Sequence, residues 1–294
     1  MTKIDEYIFK VIHDENLAKE AEFYNKEEER TLDFEGTSIS YLVIGDSKKT
    51  LLMLPGTTGN SVTFLRYISE LSKDYKLILV NYPQVNSIEE LKNGILKVIE
   101  KEITSEFYIF SHSLGGILSQ FILKEIGEKV KGLIIAHSST INNTISKKIR
   151  KENLASIQRF TNSIKGMFYK LFIRNFIKRI RKGVVASNVD NFEFWEEIYA
   201  KILSESSKKG LLSIYNCLEE FWKSYSFEKK DFVNFIGKAI IIESETDVIH
   251  DMPEKEALKT LFINSSYIEF KGSSNMSIIR NQDKFLDVIK ENFK

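Results

Sequence analysis

The run Ser111-His112-Ser113-Leu114-Gly115-Gly116 combines the residue types and order that could do nucleophilic chemistry. It follows the apolar stretch Phe107 to Phe110 and precedes an apolar helical pattern reaching Ile126, so Ser113 falls on a tight strand-to-helix turn. Such a turn pushes the serine hydroxyl outward. A helix beginning at Leu114 aims its first N–H groups and its partial positive charge at an oxyanion forming on that serine. Gly115 and Gly116 give room after the nucleophile, while Ser111 stands before it at a place where glycine would be roomier.

A serine nucleophile also needs an acid and a base. The apolar stretch Ala239 to Ile242 runs into Glu243, Ser244, Glu245, Thr246 and Asp247, which puts a carboxylate on a loop late in the chain, after the nucleophile. Asp247 is the preferred acid; Glu243 and Glu245 compete with it, and all three would also suit a solvated loop. The bases available are His13, His112, His137 and His250. The single cysteine, Cys217, cannot form an internal disulfide and has no metal-ligand spacing around it, so a buried apolar role is expected. Neither a metal nor a cofactor is expected.

These groups need a scaffold, and the hydropathy pattern supplies one. Alternating stretches from Arg30 to Ile44 turn at Glu35 and Gly36 and read as an antiparallel pair. Short apolar runs then alternate with amphipathic helical patterns: Leu51 to Leu54 before a helix over 61–73, Lys76 to Tyr82 before a helix over 87–102, Phe107 to Phe110 before the helix from Leu114, and Val130 to Ala136. Alternation of this kind predicts an α/β fold, a mostly parallel sheet covered on both faces. No buried strand is evident from about Asn142 to Ile236. Strand patterns return at Ala239 to Ile242 and Tyr267 to Phe270, and the last helix is expected over 283–293. The expected organisation is a core of residues 1–140 and 237–294 with a helical cap, 141–236, inserted into it.

Composition narrows the function classes. The chain has 294 residues, 43% of them apolar, and a formal net charge of +1, which gives no global reason to expect nucleic-acid binding. The N-terminus carries early acids and no apolar run of the secretory kind, so a soluble cytoplasmic protein is expected.

With these motifs in order, the sequence from about Thr37 to its end resembles the α/β-hydrolase superfamily. The resemblance implies that Thr57, in the turn Leu54-Pro55-Gly56-Thr57-Thr58-Gly59, contributes a backbone N–H to the oxyanion site beside that of Leu114. It also implies a histidine after the last strand, where this sequence reads Gly272-Ser273-Ser274-Asn275. Asn275 thus stands at the triad histidine position, and an asparagine side chain accepts no proton near neutral pH. It could still hold a water or a carbonyl. His250, three residues after Asp247, is the better substitute base; His137, at the end of a strand, is a weaker one. A narrower resemblance, to the maspardin branch, rests on the Thr57 turn, on Val80-Asn81-Tyr82-Pro83 and on Gly272 to Asn275. It implies a protein that binds partners and does not hydrolyse esters.

The expected function is therefore a serine esterase or thioesterase acting on a hydrophobic acyl substrate, with activity reduced or altered by Asn275. The alternative is a catalytically silent member that binds a ligand or protein through cap and pocket. Within the cap, twelve lysines and arginines lie between Lys147 and Lys182 against the single acid Glu152. Ile164, Phe168, Leu171, Phe172 and Phe176 recur there at helical spacing, predicting a basic amphipathic helix over 164–182 with an aromatic face. Such a helix could lie on an anionic membrane, meet an acidic protein, cover an acyl pocket, or simply pack inward with its cations solvated.

Overall fold

In a computed structural model, described over residues 2–186, 190–246, 252–271 and 276–294, the apolar runs line up as one eight-stranded sheet. Helices α1 (Glu6–Phe9) and α2 (Glu15–Lys26) precede it, each started by an aspartate, Asp5 or Asp14, whose carboxylate accepts from first-turn N–H groups. Strands β1 (Arg30–Phe34) and β2 (Thr37–Ile44) form the expected hairpin. Its two turn residues, Glu35 and Gly36, have φ of 46° and 80°, the conformation that lets a two-residue turn follow the strand twist.

The remaining strands are β3 (Thr50–Leu54), β4 (Lys76–Asn81), β5 (Phe107–His112), β6 (Val130–Ala136), β7 (Lys238–Ser244) and β8 (Ser265–Phe270). They are parallel to one another, β2 is antiparallel to its neighbours, and the order is β1-β2-β4-β3-β5-β6-β7-β8. Every residue of β3 is buried, as a strand covered on both faces requires.

The segment after β3 differs from the single helix predicted over 61–73. Ser61–Tyr67 winds as a 3₁₀ helix and only then becomes α3 (Ile68–Leu71). All its residues except Arg66 are buried, so packing on several sides, not one amphipathic stripe, sets its geometry. Helices α4 (Ile88–Glu102) and α5 (Leu114–Ile126) cover one face of the sheet, with Ile95 and Leu118 among side chains that meet Leu52, Leu54 and Ile135. Between β6 and β7 the chain forms α6 (Lys147–Gly166), α7 (Tyr169–Ala186), α8 (Phe192–Glu205) and α9 (Lys208–Ser224). Helices α10 (Met252–Lys259), α11 (Ser277–Arg280) and α12 (Gln282–Asn292) complete the chain. On the second face Phe285 of α12 and Tyr24 of α2 join Met53, Phe110 and Ile134.

The basic helix expected over 164–182 is two helices. Gly166, the weakest helix former in the segment, ends α6, and Met167 is extended (φ −108°, ψ 148°) before α7 starts. Its aromatic face turns inward: Ile164 and Phe172 are buried with Leu203 and Leu211 in a cluster joined by Phe160 and Phe176. Phe168 and Leu171 stay outside, 87% and 44% exposed.

Candidate active site

Ser113 stands between β5 and α5 with φ 51° and ψ −117°, a region that a residue with a side chain seldom occupies and that costs about 1–3 kcal/mol. The surroundings hold it there from both sides. Its N–H donates to Ala136 O at 2.9 Å, continuing the ladder between β5 and β6, while its carbonyl accepts from Gly116 N–H at 2.9 Å and from Ser138 Oγ at 2.7 Å. The side chain is half-buried at the sheet's C-terminal edge, where open α/β sheets bind ligands.

The small residues around Ser113 are sterically required. A Cβ on Gly115 would lie 2.2 Å from Leu54 O, and one on Gly116 would lie 2.5 Å from Ser138 Oγ. Helix α5 therefore starts in direct contact with the end of β3, and the turn after β3 comes with it: a Cβ on Gly56 would be 3.1 Å from Ser113 Cβ. Ser111 fits where glycine was the roomier choice because its hydroxyl donates to Ile134 O at 2.9 Å inside the sheet. Its role is to satisfy itself, with no group directed at the site.

Thr57, Ser113 and Leu114 line one cavity of about 290 Å³ together with residues of α6 and α9. Its apolar wall includes Ile117 of α5, Phe160 of α6 and Trp222 of α9. Its polar side holds Ser138, Ser139 and Tyr215. Burial pushes the pKa of the Tyr215 hydroxyl above its ordinary value, and a hydrogen bond with Thr57 opposes that shift. Glu254, from the first turn of α10, also lines the cavity with 1% of its surface exposed, and the Asn153 amide of α6 donates to its carboxylate.

The sequence reading missed Glu254, Asn153, Ser138 and Ser139. Nothing in the charge pattern Glu254-Lys255-Glu256 separates the cavity-facing acid from its solvated neighbour. The pair Ser138-Ser139 carried a usable signal, since polar residues directly after a buried parallel strand fall at the edge where sites form.

The histidines separate clearly. His137, φ 48°, is fully buried behind the sheet edge; its Nε2 lies 2.8 Å from Ser244 Oγ and 2.9 Å from Ser277 Oγ. It is absent from the cavity wall, so it suits tying the end of β7 to α11 better than taking a proton from Ser113. His112 is half-buried with its ring 5.8 Å from that of His137, and His13 is exposed, 3.9 Å from Glu193. Asp247, His250 and Asn275 lie outside the described residues. Of their competitors, Glu243 is fully buried at the end of β7, and Glu245 is 3.7 Å from Lys271. Among the described residues no group of three or more histidines, cysteines and carboxylates is arranged to hold a metal ion. Burial pushes the Cys217 thiol up to about 12.

No protein-family model matches the sequence, and neither does any curated protein. Solved structures do match. A bromoperoxidase from Bacillus anthracis superposes with a TM-score of 0.74 at 14% identity, over 91% of this chain and 99% of that one. A hydrolase from Pseudomonas aeruginosa gives 0.72 at 12% identity over 90% and 97%. An esterase from Thermogutta terrifontis gives 0.68 at 12% identity over 90% and 97%.

Proposed function

The chain has the α/β-hydrolase fold, and from that premise we propose that it is a serine hydrolase cleaving a compact, largely apolar acyl ester or thioester. The observation that carries this reading is the positive-φ conformation of Ser113 at the wall of a partly open, mixed-polarity cavity. Backbone strain of this kind clusters at active sites, and at a serine that lines a cavity it suits a displayed nucleophile.

In the proposed reaction Ser113 Oγ attacks the acyl carbon, the carbonyl electrons move to oxygen, and the N–H groups of Thr57 and Leu114 stabilise that oxyanion. Collapse expels the alkoxide or thiolate, which leaves with the serine proton, and water then releases the acid from the acyl-serine. Asp247 is the acid of this scheme and His250 its base, with Asn275, at the triad histidine position, orienting water or a carbonyl. A cavity of about 290 Å³ favours a short acyl chain over a long one. The Glu254 carboxylate, at the polar side, disfavours anionic substrates and favours those offering a hydrogen-bond donor.

A second reading rests on Asn275 itself. If no base serves Ser113, turnover falls by roughly 10⁴ to 10⁶, and the cavity becomes a binding site only. Initial rates on p-nitrophenyl acetate and butyrate discriminate the two. The hydrolase reading expects measurable turnover that Ser113→Ala abolishes, that His250→Ala lowers at least tenfold, and that Asn275→His raises. Turnover unchanged by Ser113→Ala excludes it.

A further inference from the structure

We propose that the corner between α6 and α7 is a docking surface for an anionic lipid bilayer, an interaction separate from the chemistry at Ser113. The corner is built outward. The chain leaves α6 at Gly166 and re-enters α7 at Tyr169, and Phe168 between them is 87% exposed, with Leu171 one turn on at 44%. Other aromatics of this segment found partners inside: Phe172 packs on Phe160 at 5.6 Å and on Phe176 at 5.8 Å. Phe168 and Leu171 are thus not leftovers of a poorly packed helix; the helix has an inner apolar face, and these two lie off it.

Cations surround the exposed pair. Lys165, Lys170 and Arg174 are exposed beside it, and α9 brings Lys208 and Lys209 to the same corner. Lys208 Nζ donates to Lys165 O at 2.7 Å and Met167 O at 3.2 Å, which fastens the turn that carries Phe168. Tyr169 fastens the other side by donating to Leu203 O at 2.9 Å. The acid nearest Lys208 along the chain, Glu205, is already engaged by Thr2 and by Lys201. A hydrogen-bonded turn bearing an exposed aromatic and a leucine among cations fits an interface in which apolar tips enter the acyl boundary and ammonium and guanidinium groups meet headgroups. An acidic protein would satisfy the cations but would leave a protruding Phe168 without a matching groove.

Co-sedimentation of the full chain with large vesicles of phosphatidylcholine alone, or with 30% phosphatidylglycerol, tests this. Binding is expected only to the anionic vesicles, and to fall steeply as salt is raised. Phe168→Glu with Leu171→Glu, and separately Lys165→Glu with Lys170→Glu and Arg174→Glu, should each weaken partitioning by roughly tenfold or more while circular dichroism and thermal midpoint stay unchanged. No anionic-vesicle binding, or binding that survives both sets of substitutions, overturns the proposal. So does binding to soluble polyglutamate equal to that on vesicles and indifferent to Phe168→Glu, since that outcome indicates an acidic protein partner.

Discussion

Helix α5, which follows Ser113, and helix α7, between β6 and β7, bury apolar surface under different constraints. Ten consecutive residues from Leu114 to Leu123 are buried, and the first turn admits no Cβ at Gly115 or Gly116. Among the described residues helix α7 buries Phe172 in a small cluster with Ile164, Leu203 and Leu211 and turns Lys170, Arg174 and Lys178 outward. The first helix is fixed by contact on all sides; the second is fixed on one side and free to interact on the other. A nucleophile belongs on the first kind of element, because its position must hold to a fraction of an ångström. A surface that meets varied partners belongs on the second.

This contrast can be broken by substitution. Phe285, fully buried and in ring contact with Phe110 at 5.7 Å and Phe270 at 5.0 Å, underlies the strand that ends at the nucleophile. Phe285→Ala should cost about 3–5 kcal/mol in urea unfolding, while Phe172→Ala, in a small cluster that can collapse, should cost about 1–2 kcal/mol. Equal losses would mean that the helices between β6 and β7 are packed as tightly as the sheet. Ser113→Gly should go the other way: relief of the positive-φ strain outweighs the added chain entropy and raises stability by about 1 kcal/mol. A loss of stability there would show that the conformation is not strained. The smallest expected effect is at Cys217. With its thiol pKa raised by burial to about 12, the native protein should resist iodoacetamide at pH 8 and react only on unfolding.

Much of this fold was legible in the sequence because periodicity and turn chemistry are local. The hairpin at Glu35-Gly36, the strand-turn-helix at Ser113 and the apolar strands were set by residues close together in the chain. Packing from several directions hid other features. The 3₁₀ segment Ser61–Tyr67 takes its shape from neighbours that no local period reveals, and the break at Met167 interrupts an apolar spacing that by itself reads as continuous. The site was legible in part for the same reason. Ser113, Leu114 and Thr57 lie on motifs and come together at one cavity, whereas Glu254 and Asn153 meet only because α10 and α6 cross there. Asn275, Asp247 and His250 remain expectations of the sequence, outside the described residues.

Ser113 is the proposed nucleophile of this site. Incubating the protein with a fluorophosphonate probe and mapping the adduct by peptide mass spectrometry tests it most directly. A single modified residue, Ser113, is expected, with labelling lost in Ser113→Ala and accelerated in Asn275→His. Absence of labelling in both the unaltered protein and Asn275→His, with the fold intact by circular dichroism, would contradict it.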